Sequence, residues 1–123
     1  TINYTILHAL EGYDEVSLTC DFKTFSNQGE QLHAIKDLGF DKIDAEMITG
    51  GSTVEDSAKI FLSVLNNKAT IQQSSVVLVN AALAIKTIES KLSFADCFYK
   101  AEMALLNGSA LKSFQKLIDI SKN

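Results

Sequence analysis

Asn3-Tyr4-Thr5-Ile6-Leu7-His8-Ala9-Leu10, followed by Glu11-Gly12-Tyr13-Asp14-Glu15-Val16-Ser17, sets the terms for the rest of the chain. The first eight residues read as a β-strand that is largely apolar on both faces, the pattern of a central strand in an α/β sheet. Glu11-Gly12-Tyr13-Asp14 reads as the turn after it. Asp14 and Glu15 then set two carboxylates side by side, just past a glycine turn at the end of an apolar run. Open α/β sheets bind ligands outside the carboxyl ends of their strands, so this corner is the first place to look for chemistry. Adjacent carboxylates on a turn can point toward one hard cation, directly or through water. Magnesium keeps several waters and is held by one or two carboxylates plus substrate phosphates. Acidic pairs on turns are common, so from residue types alone a solvated corner is the ordinary reading and a metal site the less frequent one.

Residues 15–25 alternate in part, with Val16, Leu18, Cys20 and Phe22 on one face at period two. Ser26-Asn27-Gln28-Gly29-Glu30 carries natural turn residues, and residues 31–35 read as a short strand. The pattern predicts a hairpin, or at least an antiparallel excursion, over residues 16–35. A buried-looking strand at residue 5 calls for neighbours on both sides, which predicts that the sheet is incomplete within this chain. Residues 38–47 are weakly patterned and read as loop with a short turn of helix, ending at Gly50-Gly51.

The period then becomes helical. Ser52-Thr53-Val54-Glu55 has the form of a capping box, with Val54, Ala58, Phe61 and Leu65 following at helical spacing and Asn66-Asn67 as the stop. Residues 71–88 form a second helical segment, with Val77, Ala81, Ala84, Ile85 and Ile88 on a broad apolar face. Ser93-Phe94-Ala95-Asp96 opens a third, and Asn107-Gly108 ends it. Leu111, Phe114, Leu117 and Ile118 mark a short fourth. The expected class is α/β: about three strands of an incomplete mixed sheet followed by about four helices, with residues 1–123 forming part of one domain.

Composition narrows the function. The 123 residues are 46% apolar, enough for a modest core. The formal net charge is -4, and all 11 basic residues are lysines. Without a basic stripe, nucleic-acid binding is not expected. Without arginine, the chain lacks the rigid fork that best grips phosphate or carboxylate. No signal-peptide pattern is visible and no apolar run approaches the length of a membrane span, so a cytoplasmic location is expected. Cys20 and Cys97 fit no metal or redox spacing and read as ordinary thiols. Gly50-Gly51 ahead of a helix permits close backbone approach, and a helix N-terminus favours an anion, but no phosphate-loop lysine follows. Asn80 is a polar residue inside an apolar helical face, suited to reading a loop backbone or tying two helices. His8 and His33 read as satisfied sheet residues. Ser17 lacks the glycine pattern of a nucleophile elbow. Lys112, Lys116 and Lys122 read as a solvated helix face.

Gly12-Tyr13-Asp14-Glu15-Val16-Ser17-Leu18-Thr19 resembles the glycine–apolar–Asp-Glu motif of the anthranilate phosphoribosyltransferases. Leu7-His8, Leu38-Gly39-Phe40, Gly50-Gly51 before a helix, Val79-Asn80-Ala81-Ala82 and Asn107-Gly108-Ser109-Ala110 resemble further motifs of that family, in order and in approximate spacing. The resemblance covers essentially the whole chain and matches only the C-terminal portion of the family's larger α/β domain, of the nucleoside phosphorylase/phosphoribosyltransferase type. Departures fall mostly in loops: Ala9 where glycine usually follows histidine, Asp56-Ser57-Ala58 in place of an Asn-Ala pair, Lys68-Ala69 in place of a glycine-rich turn, and Gln73-Ser74 where Arg-Asp is common.

What the resemblance implies is transfer of phosphoribose from phosphoribosyl pyrophosphate to anthranilate, in tryptophan biosynthesis. It implies that Asp14 and Glu15 bind Mg2+ with the pyrophosphate, and that Asn80 and Gly50-Gly51 are structural support. It also implies a homodimer through an N-terminal helical domain. The family's glycine-rich phosphate loop and its anthranilate-binding residues are not in this sequence, so the chain alone is expected to be inactive. The other readings are a nucleoside phosphorylase-like relative and a non-catalytic binding or scaffold domain that kept the fold.

Overall fold

The computed structural model describes residues 2–122. Three strands, β1 (Thr5–Ala9), β2 (Phe22–Ser26) and β3 (Gly29–His33), form a sheet in the order β1-β2-β3. Both pairings are antiparallel, with Leu7 opposite Thr24 and Thr24 opposite Gln31. Four helices follow: α1 (Val54–Leu65), α2 (Ile71–Ile88), α3 (Phe94–Leu106) and α4 (Ser109–Ser121). The expected succession of about three strands and four helices therefore forms.

The details of the hairpin differ from expectation. Strand pairing begins only at Phe22, so residues 15–21 are not strand. The reversal between β2 and β3 is the two-residue step Asn27-Gln28, with Gly29 at φ 100°, so β3 starts earlier than residue 31. It also ends earlier, because Ile35–Leu38 winds into a single 3-10 turn closed by Gly39 at φ 89°. Among the described residues β1 pairs on one side only. Its inner face, Thr5, Leu7 and Ala9, turns toward the helices, while Ile6 and His8 face outward with Phe25 and Leu32.

Helix starts follow the hydrogen bonds of their first turns. For α1 the cap is Thr53, whose Oγ1 accepts from the Asp56 N–H at 3.1 Å. Ser52 instead donates its hydroxyl to the Asp56 carboxylate, so the expected Ser52–Glu55 box is displaced by one residue. Ser93 caps α3 as expected. The full reciprocal box belongs to α2, where Thr70 Oγ1 accepts from Gln73 N–H and Gln73 Oε1 accepts from Thr70 N–H. The α4 helix is as long as α3, not short.

The longest helix, α2, is the spine of the fold. Val79 and Leu83 pack against Val16, Leu18, Phe22 and Ile35, and Leu78 joins Val64, Ala101 and Leu105 in a second cluster. By length and composition the 18 residues of α2 are apolar enough to cross a membrane, contrary to the expectation that no such run exists. Its apolar character has a local explanation: one face meets the sheet and the loop before it, and another meets α3. Thr5 and Thr87 join β1 to its last turn through a 2.7 Å hydroxyl contact.

Candidate functional site

Residues 10–21 carry the acidic pair and form an irregular but closely held excursion. The β1–β2 pairing extends one step beyond β1, where Leu10 N–H donates to Asp21 O at 3.0 Å. Gly12 takes φ 96° and donates to Ala9 O, closing the turn that the glycine foretold. At the base of the excursion, Thr19 Oγ1 donates to Glu11 Oε2 at 3.0 Å. Ser17 Oγ lies 2.8 Å from Thr19 Oγ1 and accepts from the Thr19 N–H. The Thr19 N–H is satisfied locally by the Ser17 hydroxyl rather than by a ladder, a local bond that competes with strand pairing despite the period-two pattern of Val16, Leu18 and Cys20.

Burial explains the same pattern. Val16, Ser17, Leu18 and Cys20 are all buried although none lies in a strand or helix. Leu18 sits at φ 61°, a left-handed conformation that costs a branched side chain about 1–3 kcal/mol. It is kept there by a core position exposed to only 1% and by the Ile43 N–H, which donates to Leu18 O at 3.0 Å. Ser17 is buried, with its hydroxyl bonded to Thr19.

Asn80 reaches this excursion from α2. Its Oδ1 accepts from the Val16 N–H at 3.0 Å, and its Nδ2 donates to Val16 O at 2.9 Å and to Val76 O at 2.8 Å. Of the two roles open to Asn80 in the sequence, reading a loop backbone is the one the structure shows.

Asp14 and Glu15 stand just outside this clasp, both exposed. Among the described residues neither enters an ion pair. Two free carboxylates facing solvent suit a hard cation that completes its shell with water and phosphate oxygens. Among the described residues no three His, Cys, Asp or Glu side chains gather into a metal cage. A cation here therefore depends on ligands from elsewhere, as magnesium sites with bound phosphates do.

The other candidates separate from this corner. Gly51 lies tight against the first turn of α1, where an added Cβ would stand 2.3 Å from Asp56 Cβ and 2.5 Å from Ser57 N; Gly50 has open space. The close approach expected of the pair is thus made by Gly51, to its own helix. His33 stacks on Phe22 with ring centroids 4.8 Å apart and shares a 2.8 Å contact with Thr24 Oγ1. Burial pushes its pKa below the ordinary histidine value. His8 is exposed on the outer sheet face. Cys20 and Cys97 are free and buried. Lys112, Lys116 and Lys122 are exposed, as expected. A polar hollow of about 120 Å³ lies beside His33 and Lys86, and an apolar groove of about 310 Å³ runs between α1 and α2 past Phe61 and Val77; neither includes the acidic pair.

The tie between Val16 and Asn80 was signalled by an amide in an apolar helix face, but its partner was not. The left-handed Leu18 and the Thr19–Glu11 bond carried no signal, since both depend on the fold around them.

No protein-family model matches the chain. Curated relatives do. Anthranilate phosphoribosyltransferase of Cytophaga hutchinsonii is 44% identical over 115 residues, covering 94% of this chain and 35% of the relative. The enzyme of Christiangramia forsetii is 41% identical over 121 residues, covering 98% and 36%. Among solved structures, the enzyme from Thermus thermophilus superposes with a TM-score of 0.84 at 18% identity, covering 97% of this chain and 36% of that one. The Saccharomyces cerevisiae enzyme in complex with PRPP and Mg superposes with a TM-score of 0.81 at 19% identity, covering 94% and 33%. The chain thus spans about a third of the length of the proteins it matches. By sequence and by fold, this chain is related to the anthranilate phosphoribosyltransferases, corresponding to about one third of such an enzyme.

Proposed function

We propose that this chain is the C-terminal portion of the catalytic α/β domain of an anthranilate phosphoribosyltransferase, and that Asp14 and Glu15 hold Mg2+ there. The observation that carries the reading is 44% identity over 94% of the chain to a curated enzyme of that activity. The exposed carboxylates on a firmly held turn, in no ion pair among the described residues, support the role given to Asp14 and Glu15. The yeast relative is named as a complex with PRPP and Mg, which fits a metal bound together with the phosphoribosyl donor.

When bound, magnesium supplies positive charge against the departing pyrophosphate. The chain's own contribution is to present two carboxylates from one turn and to keep them in place. Asn80 holds the backbone after Glu15, and Leu18 is anchored in the core beyond it. The lysine-only cationic complement offers no rigid fork for the sugar phosphate. Stabilising that phosphate, and the positive charge that develops on the sugar, falls to parts of the enzyme outside these 123 residues. By itself the chain turns over no substrate. The rest of the family's character comes with the reading: a step in tryptophan biosynthesis, a cytoplasmic location, and a homodimer formed through a helical domain.

A chimera tests this. The 123 residues replace the matching third of the Cytophaga hutchinsonii enzyme, and loss of anthranilate fluorescence is followed with phosphoribosyl pyrophosphate and Mg2+. Turnover is expected in the chimera and none in the isolated chain. Asp14→Asn with Glu15→Gln should lower chimera turnover about a hundredfold or more. Activity indifferent to that double change would remove the two carboxylates from the mechanism.

A further inference from the structure

The acidic turn has no strand beside it, yet both backbone groups of Val16 are satisfied, by one side chain 64 residues away. The carboxamide of Asn80 presents an acceptor at 3.0 Å to the Val16 N–H and a donor at 2.9 Å to the Val16 carbonyl. A neighbouring strand offers the same pair of groups. The second Nδ2 proton goes to Val76 O, one turn back on α2. That third bond fixes the amide plane against its own helix. Both flanks of α2 beside Asn80 are anchored, since Val79 is fully buried against Val16 and Leu18 and Leu78 is held in the cluster with α3.

We propose that Asn80 is the positioning residue of the acidic turn. It acts as a one-residue substitute for a sheet neighbour, coupling the placement of Asp14 and Glu15 to α2. The role in metal placement rests on the reading of Asp14 and Glu15 as the Mg2+ pair. Asn80 touches neither substrate nor metal. It sets where the two carboxylates stand through the backbone of the residue that follows them. Groups that orient metal ligands from behind affect affinity although they never touch the ion, commonly by tenfold or more.

The test uses the isotope-labelled 123-residue chain with Mn2+ as the probe cation, added together with inorganic pyrophosphate to supply the phosphate oxygens that two carboxylates alone do not provide. In the unsubstituted chain, a scalar coupling across the hydrogen bond from Val16 N to Asn80 Cγ is expected, and its absence overturns the proposal without any variant. Asn80→Asp keeps the shape but turns a donor into an oxygen facing the Val16 and Val76 carbonyls. Asn80→Ala removes the clasp entirely. In both, the amides of Tyr13 to Leu18 should shift and exchange faster with solvent, while β2, β3 and α3 keep their signals. Mn2+ affinity should fall about tenfold or more in both. For Asn80→Asp that sign is diagnostic, because an added negative charge acting only through the field would tighten cation binding. Unchanged Val16 exchange in both variants overturns the proposal, as does unchanged Mn2+ affinity with a disturbed turn. Mn2+ binding that ignores Asp14→Asn with Glu15→Gln overturns the metal reading instead. The Val16 exchange, which needs no metal, tells that failure apart from failure of the clasp.

Discussion

Residues 10–21 and helix α4 invert the usual relation between regularity and integration. The first segment belongs to no strand or helix, yet it buries Val16, Ser17, Leu18 and Cys20 and is tied to β1, α2 and the Ile43 backbone. The second is a complete 13-residue helix with no buried residue, and Leu117, Ile118 and Ile120 stand exposed on it. It is held by the edge-on contact of Phe114 with Phe61, at 4.9 Å, and by Ala110 packed against the cluster of Val64, Leu78, Ala101 and Leu105. Local hydrogen bonding makes a helix, but packing decides what is fixed in the fold. The candidate site is built on the irregular segment because that is where side chains from distant parts of the chain converge.

The largest effect should come from removing the floor beneath residues 10–21. Phe22 is fully buried against Val16, Leu18 and His33. Phe22→Ala should cost about 3–5 kcal/mol in urea unfolding, as other large-to-small core changes do. Leu117→Ala on α4 should stay within about 0.5 kcal/mol, as exposed substitutions usually do. Comparable losses at the two positions would erase the contrast between the segments.

A smaller effect is expected at the entry to α1. Gly51→Ala forces a Cβ into the Asp56 and Ser57 backbone and should destabilise by about 1–3 kcal/mol. Gly50→Ala meets open space and should be nearly neutral. Thermal melts of the two variants sharpen the comparison, because they ask whether tight packing at a helix start matters as much as packing under the loop.

The smallest expected effect is electrostatic. Burial holds His33 below its ordinary pKa of about 6.5, so between the folded and unfolded values the unfolded chain binds more protons. The contribution from neutral His33 is therefore complete above about pH 6.5 and is lost as the pH falls through the folded value. His33→Gln should flatten the part of the stability–pH curve just below about pH 6.5, measured as urea midpoints across roughly pH 5–8. A slope unchanged by this substitution would assign the dependence to the carboxylates instead.

Much of this architecture was legible because it is local. Helical periodicity located all four helices, Asn66-Asn67 and Asn107-Gly108 marked two of their ends, and Gly12 marked the turn before the acidic pair. What escaped was decided at a distance. Period-two alternation from Val16 to Phe22 imitates a strand, but the alternation arises because Val16, Leu18 and Phe22 each reach the face of α2 from an irregular path. The full capping box at Thr70 and Gln73 was present in the sequence as Thr-x-x-Gln, between the more conspicuous patterns that begin at Ser52 and Ser93. Asn80 stood out as a polar residue in an apolar face, whereas Val16 as its partner could not be named before the chain was folded.

The contrast between the two segments comes to one test: amide hydrogen exchange across the unsubstituted chain at neutral pH. The Val16 amide, outside any strand or helix, should be among the well-protected positions, slower than the amides in the last turns of α4. A Val16 amide that exchanges like an open loop, while α4 stays protected to its end, would contradict the view that packing rather than regularity holds the acidic turn in place.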